Sequence, residues 1–348
     1  MRCVLVGDPH FGKKNFNKKI FKNQIEFFRE MFKKMKDEDI EICISMGDLF
    51  DNRTIIDINF FNDFINEFIE LLKEFNITFY NIQGNHDLYF RNRSDVSLVK
   101  HLEKFYDKFI NISEVTDLED MTLVPWIIDS KKDIPKDYNE FVLGHFEFKD
   151  IDKYIAGEID IKTFSKAKMV FSGHYHNKSL KDNVMYIGTP YQLEWGDYGE
   201  IKGFYILDTD KGIEFIKNEI SPMHLKLKYD DRNKKPWVIS GLGEDIYFDK
   251  LNENVLEILQ KNIFNVYINS AKDNKYNEIL YDLKQKNLDF EVFNNAELSE
   301  LIDIKYDPKE EEILDEDIQV KGIEYIKKRL DPKLNGILNE VLKFNEEG

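Results

Sequence analysis

Positive charge is in short supply in this chain. Its 348 residues carry 49 lysines and arginines against 66 aspartates and glutamates, a formal charge of −17. A surface that is basic all round and grips nucleic acid indiscriminately is excluded, so any phosphate-rich partner must be met by a local patch. Cysteine is nearly absent: Cys3 and Cys43 are the only two, and each lies inside a β-type apolar run (2–6 and 40–46). They read as buried thiols, which excludes a secreted disulfide framework. No apolar run approaches the roughly 18 residues that span a bilayer, and the first strand follows Met1 without a charged and then apolar leader. The expectation is a soluble cytoplasmic protein with no membrane partner.

Apolar residues make up 42% of the chain, enough for a sizeable core, and the length suits about two domains. The charge is unevenly spread. Lys13, Lys14, Lys18, Lys19 and Lys22 fall between Pro9 and Ile25 with no acid among them, whereas residues 301–320 hold eight acids and two lysines.

The first part of the chain alternates strands and helices. Apolar runs at 2–6, 40–46 and 77–82 each end at a glycine, and helical stripes lie at 20–35 and 58–72. Short strands are predicted at 121–124, 140–143, 168–172, 184–187 and 203–207, a mixed α/β pattern that ends near Ser221-Pro222. The polar stretch 230–236 (DDRNKKP) reads as a linker. A smaller α/β pattern follows, with helices at 253–260 and 276–285 and strands at 265–269 and 289–293. An acidic segment and two short amphipathic helices close the chain, the second capped by Asp331-Pro332.

Five of the seven histidines fall in short motifs, each after a predicted strand: Gly7-Asp8-Pro9-His10, Gly47-Asp48-Leu49-Phe50-Asp51, Gly84-Asn85-His86-Asp87, Gly144-His145 and Gly173-His174-Tyr175-His176. In open α/β sheets ligands collect outside the carboxyl ends of strands, so the five loops are expected to converge. Carboxylate, amide oxygen and imidazole together suit two divalent cations of the manganese, iron or zinc type, with no thiolate to impose zinc. Alternate residues of an extended segment face alike, which aims Asp8 and His10 together, and the same spacing applies to His174 and His176, with their division between two metals as the alternative. Asp48 lies in the middle of the set and has the two oxygens needed to bridge a metal pair. Singly, each motif is ordinary turn chemistry. The accidental coincidence of all five is the less economical reading.

These five motifs resemble the signature of the calcineurin-like metallophosphoesterases. Gly47-Asp48-Leu49-Phe50-Asp51, Val124-Pro125-Trp126 and Tyr186-Ile187-Gly188-Thr189-Pro190 are similar to the SbcD-type DNA repair nucleases, in particular to the recombination endonuclease subunits of tailed bacteriophages. The resemblance covers about residues 1–220 and beyond that only the layout. It implies an α/β fold with a central two-sheet β-sandwich flanked by helices (1–222), a small α/β capping domain that binds DNA (223–300), an acidic linker (301–317) and a C-terminal helix pair (318–348). It further implies two divalent ions, manganese with magnesium as the alternative. Asp8, His10, Asp48 and His176 would hold one, and Asp48, Asn85, His145 and His174 the other. His86 would be the catalytic histidine, oriented by Asp87. Asp51 departs from the pattern: some relatives have histidine there, so any role of that histidine in placing duplex ends does not carry over.

The implied activity is two-metal phosphodiester hydrolysis of DNA, exonucleolytic on duplexes and endonucleolytic on single strands. It would serve DNA repair, recombination or host-DNA degradation, in the host cytoplasm for a phage-encoded chain. The implied partners are DNA, an SbcC-type coiled-coil ATPase docked on 318–348, and a second copy of this chain. A phosphoesterase for small substrates and a non-catalytic clamp of the same fold are the competing readings. Lys13, Lys14, Lys18, Lys19 and Lys22, with Arg53, Arg91 and Arg93, are candidate phosphate contacts, although a solvated helix start would also explain the lysines. Tyr191 and Trp195 either stack on splayed bases or pack beneath their own loop. His101 and His224 read as structural.

Overall fold

The protein was analysed as a computed structural model, which describes residues 1–90, 92–149, 157, 159–270 and 275–294. The acidic segment 301–317 and the helix pair 318–348 lie outside the described residues.

Three sheets organise the described residues. β1 (Arg2–Val6), β2 (Ile42–Ser45), β3 (Thr78–Ile82) and β4 (Phe109–Ile112) run parallel in the first. The second contains β5 (Thr116–Leu118), β6 (Met121–Val124), β7 (Phe141–Gly144), β8 (Met169–Ser172), β9 (Ser179–Lys181) and β10 (Val184–Tyr186), in the order β5-β6-β7-β8-β10-β9 with its four inner strands parallel. The chain then returns to the first sheet with β11 (Gly203–Asp208) and β12 (Gly212–Lys217), which add antiparallel beside β1.

Strands buried on both faces read as continuous apolar runs, and β1 shows why: alternate residues serve different cores. Cys3 and Leu5 point between the sheets, where they meet Ile44, Leu123, Leu143 and Phe171. Val4 and Val6, with Cys43 of β2, face the helices instead. The two thiols therefore sit on opposite faces of one sheet, and burial pushes Cys3 up to about 12 and Cys43 well above its usual value.

Helix Lys18–Asp37 starts at Asn17, whose side chain accepts from the Lys19 and Ile20 amides, and buries Phe21, Gln24, Phe27, Phe28, Met31, Phe32 and Met35. The stripe predicted at 58–72 is a helical run, Ile58–Phe64 and Glu70–Glu74 joined through a π-helical segment, Ile65–Ile69. That segment carries Phe68, fully buried, with its ring 4.9 to 5.5 Å from those of Phe11, Phe28, Phe64 and Phe79.

The third sheet, β13 (His224–Asp230), β14 (Trp237–Ser240), β15 (Ile246–Phe248), β16 (Ile263–Ser270) and β17 (Val292–Asn294), has the order β15-β14-β13-β16-β17. One face packs Leu225, Leu227, Tyr229, Trp237, Val266 and Ile268 on helices Glu253–Lys261 and Tyr276–Gln285. The linker expected at 230–236 is instead the hairpin turn between β13 and β14, closed by the Asp230 amide donating to the Pro236 carbonyl at 2.8 Å. Polar, proline-ended stretches serve turns as well as linkers, and here β13 begins before the stretch. Among the described residues no helix is long and apolar enough to cross a membrane.

Because aromatic rings enclose Phe68 on every side named above, Phe68→Ala should destabilise the protein by about 3–5 kcal/mol, read as a lower urea midpoint at unchanged slope.

Candidate metal centre

Parallel strands place their carboxyl ends on one edge, and in each of the first two sheets that edge carries motif loops. Gly7 follows β1, Gly47 lies two residues past β2, Gly84 two past β3, Gly144 ends β7 and Gly173 follows β8. The sheets face each other across a common core, so loops from both meet at one end of it. Close approach explains the glycines. Gly47 is at φ 107°, and a Cβ there would stand 2.5 Å from His145 Nδ1. A Cβ on Gly84 would collide with the Asp48 carboxylate and amide. His10, Asp48 and His174 themselves take positive φ (45°, 51° and 83°), strained backbone of the kind found at functional sites.

The loops deliver two groups of side chains. Ligand-type atoms of Asp8, His10 and His176 all lie within 4.8 Å of one another, as do those of Asp48, His145 and His174. Asp48 stands between the groups: its Oδ2 is 3.3 Å from His145 Nε2 and 4.0 Å from His10 Nε2. Asn85 Oδ1 lies 2.9 Å from His145 Nε2 and 3.1 Å from His174 Nδ1. Asp8, His10, Asp48 and His145 are buried.

A cation fits this set. His145 Nδ1 donates to the Met46 carbonyl at 2.8 Å, so in the neutral ring Nε2 is a lone pair facing two more acceptors, Asn85 Oδ1 and Asp48 Oδ2. His10 Nε2 and His176 Nε2 face each other at 3.1 Å, and buried Asp8 Oδ1 has no hydrogen-bond partner. So many converging lone pairs need positive charge among them. Burial and the Asp48 charge push Asp8 up to about 8, against the pull of His145. Burial opposes ionisation of Asp48 too, but His145 and its hydrogen bond outweigh it and hold this carboxyl well below the usual range. For His145, burial is outweighed by Asp48 and Asp8, which raise it to about 9, so without a cation the ring holds a proton on Nε2 that a bound cation would replace. Burial lowers His174 to about 3 and also lowers His10 and His176, which keeps their rings neutral, as ligands must be.

One expectation for this region changes, and of the two readings of Tyr191 the packed one holds. Asp87 does not orient the His86 ring: its carboxylate accepts from the Leu49 and Gly84 amides, both at 2.9 Å, and so ties two motif loops together. The His86 ring is held instead by Nδ1, which donates to the Asp51 carbonyl at 2.5 Å. Tyr191 does not stack on bases. It is buried, with its hydroxyl donating to the Pro9 carbonyl at 2.6 Å and accepting from Gln24 Nε2 at 3.0 Å.

Trp195 is half-buried against the His224 ring, 4.9 Å between centroids. His224 is buried, with Nδ1 3.1 Å from Gln192 Oε1, a structural position. Of the basic candidates, Lys13 pairs with Asp51 at 3.0 Å and Lys18 with Asp63 at 3.4 Å. Lys14, Lys19 and Lys22 are exposed. Arg53 lines a cavity of about 270 Å³ beside His86, Arg93 is tied to Asp95, and Arg91 lies outside the described residues.

Two supporting residues, Gln24 and Lys202, carry no motif signal, and a third, Trp126, does. Gln24 donates to the Pro9 and His10 carbonyls and so fixes the first loop to its helix. Lys202, buried, donates to the His176 carbonyl at 2.7 Å and pairs with Asp197 at the same distance. Trp126 stands with its ring 5.2 Å from that of His174 and 5.7 Å from that of His145. The Val124-Pro125-Trp126 segment, already noted for its resemblance, holds the last of these.

Asp48 faces both groups and His176 only one. Asp48→Asn should therefore weaken both of two divalent-ion sites, and His176→Ala one of them, as measured by isothermal titration with manganese. Equal loss in both variants would contradict the division.

The comparisons with known proteins agree with this geometry. The chain is similar to the protein named exonuclease subunit 1 of Enterobacteria phage T4, with 29% identity over 296 residues, which cover 79% of this chain and 85% of that protein. Residues 1–178 match the calcineurin-like phosphoesterase family, and these residues carry every motif loop of the site. With just over half of its length matched and its strands, loops and paired His/Asp groups in one consistent arrangement, the chain belongs to the calcineurin-like phosphoesterases.

Proposed function

We propose that this protein is a metal-dependent DNA nuclease, exonucleolytic on duplex DNA and endonucleolytic on single strands, acting as one subunit of an ATPase–nuclease complex in DNA repair, recombination or host-DNA degradation. The observation that carries the reading is Asp48, standing between two His/Asp groups with His86 beside them. The similarity to a phage exonuclease subunit supports DNA as the substrate and a partner subunit. An SbcC-type ATPase docked on residues 318–348 and a second copy of this chain are the partners in this reading.

Asp8, His10, Asp48 and His176 would hold one ion and Asp48, Asn85, His145 and His174 the other. Manganese, with magnesium as the alternative, suits this oxygen and imidazole set. Such ions supply Lewis-acid charge against the phosphate and lower the pKa of water. The chain's own residues do the rest. The Asp48 Oδ1 accepts from the His86 amide at 2.7 Å, which seats the histidine beside the groups, and His10 and His86 rings meet edge to face at 5.2 Å. With Nδ1 given to the Asp51 carbonyl, Nε2 is the atom left to face a phosphoryl or leaving oxygen, to which the imidazolium form would donate. Lys14, Lys19 and Lys22 have no ion pair among the described residues and are available to phosphates flanking the cleaved bond.

His86→Ala should bind manganese as the wild type does and lose about a hundredfold or more in cleavage of linear DNA; full activity would remove His86 from the reaction. Faster turnover of bis-p-nitrophenyl phosphate than of DNA under manganese would favour the small-substrate reading instead. Deletion of residues 318–348 should abolish co-purification with the ATPase and spare basal cleavage, and a truncated chain that still binds would move the docking site elsewhere.

A further inference from the structure

Among the described residues, the third sheet packs helices on one face and none on the other. Along β13 the burial alternates, with Leu225, Leu227 and Tyr229 inward and Lys226 and Lys228 outward. Register then lines up one row across all five strands: Tyr247 opposite Val238, Val238 opposite Lys228, Lys228 opposite Tyr267, and Tyr267 opposite Phe293. Soluble proteins rarely arrange aromatic rings in a row at the surface without a partner for them. Here Tyr247 is 52% and Phe293 41% exposed, and Tyr267 and Phe293 stack with centroids 5.0 Å apart and planes 14° from parallel. From Tyr247 to Tyr267 is three strand spacings, about 14 Å.

The charge between the rings is positive. Lys228 forms no ion pair among the described residues, and Lys226 Nζ lies over the Tyr198 and Tyr267 rings at 4.1 and 5.7 Å rather than on a carboxylate. Rings flanking unneutralised lysines match a chain that offers flat apolar faces and anionic links at once, which is the chemistry of unpaired nucleotides. An acidic peptide would use the lysines and leave the rings without a partner. A duplex hides its base faces. The sheet also adjoins the metal centre through one loop: Tyr198, under Lys226, follows Asp197, which pairs with the Lys202 that holds the His176 carbonyl.

We propose that the outer face of the third sheet, through Tyr247, Tyr267 and Phe293 with Lys226 and Lys228, is a stacking platform for the unpaired bases of single-stranded DNA. The platform extends the nuclease reading, but its binding does not require cleavage.

The test titrates the full-length protein into labelled oligothymidylate with divalent ions chelated, beside an abasic oligomer of the same length and charge. Oligothymidylate should bind more tightly than the abasic strand. Tyr267→Ala combined with Phe293→Ala should weaken oligothymidylate binding at least about tenfold and leave abasic binding unchanged, whereas Tyr267→Phe should keep wild-type affinity. Lys228→Glu should weaken both strands and flatten the salt dependence. Equal wild-type affinity for the two strands, no binding at all, or an unaffected double variant would each overturn the platform. DNA cleavage under manganese is read separately: platform failure with cleavage intact counts against the sheet alone, and binding without cleavage counts against the nuclease reading alone.

Discussion

Two carboxylates out of reach of water, Asp8 and Asp48, set the terms for everything around them. An ionised carboxylate in such a place costs several kcal/mol unless it is answered by donors or opposite charge. The loops supply both. The His174 amide serves Asp8, the His86 amide serves Asp48, and His145 lies within reach of the two acids. What backbone and imidazole leave unanswered is a pair of positions where a small, highly charged cation is the natural complement. The two sheets, the glycines that let loops touch and the strained φ values are the means of holding that unmet charge in place. Asp87, Gln24 and Lys202 then brace the loops from outside, on amides and carbonyls rather than on ligand atoms.

Much of this was legible in the sequence, for a physical reason. Inner strands buried on both faces read as apolar runs, and a run that stops at glycine followed by Asp, Asn or His marks both a strand end and a loop with chemistry. β1, β3, β6 and helix Lys18–Asp37 lie within two residues of where the pattern puts them. Edge strands carry no such pattern. β5 and β9 are exposed or half-exposed three-residue strands whose pairing is fixed by their neighbours, and no periodicity could have revealed them. The 230–236 turn failed for a related reason, since its composition is shared by hairpins and linkers.

Within the site, residue types and spacing pointed to ligand candidates but not to supports. Asp51 holds the His86 ring through a backbone carbonyl, which any residue at that position could offer, so sequence gives no hint of it. Tyr191 illustrates the converse. An aromatic in a loop near a nucleic-acid site invites a stacking role, yet its hydroxyl found two partners inside, and burial followed. The aromatics in the proposed stacking row, Tyr247, Tyr267 and Phe293, carry no motif and stand out only once strand register lines them up.

The two thiols bear on how this protein can be studied. Cys3 and Cys43 face different cores of one sheet, cannot meet, and are held protonated by burial far above neutral pH. Thiol-directed reagents act on accessible thiolate, and the folded native chain offers none. A single cysteine introduced at any exposed position would thus be the sole labelling site, so a dye or spin label can be attached to one chosen strand or loop without first stripping the sequence of its own cysteines.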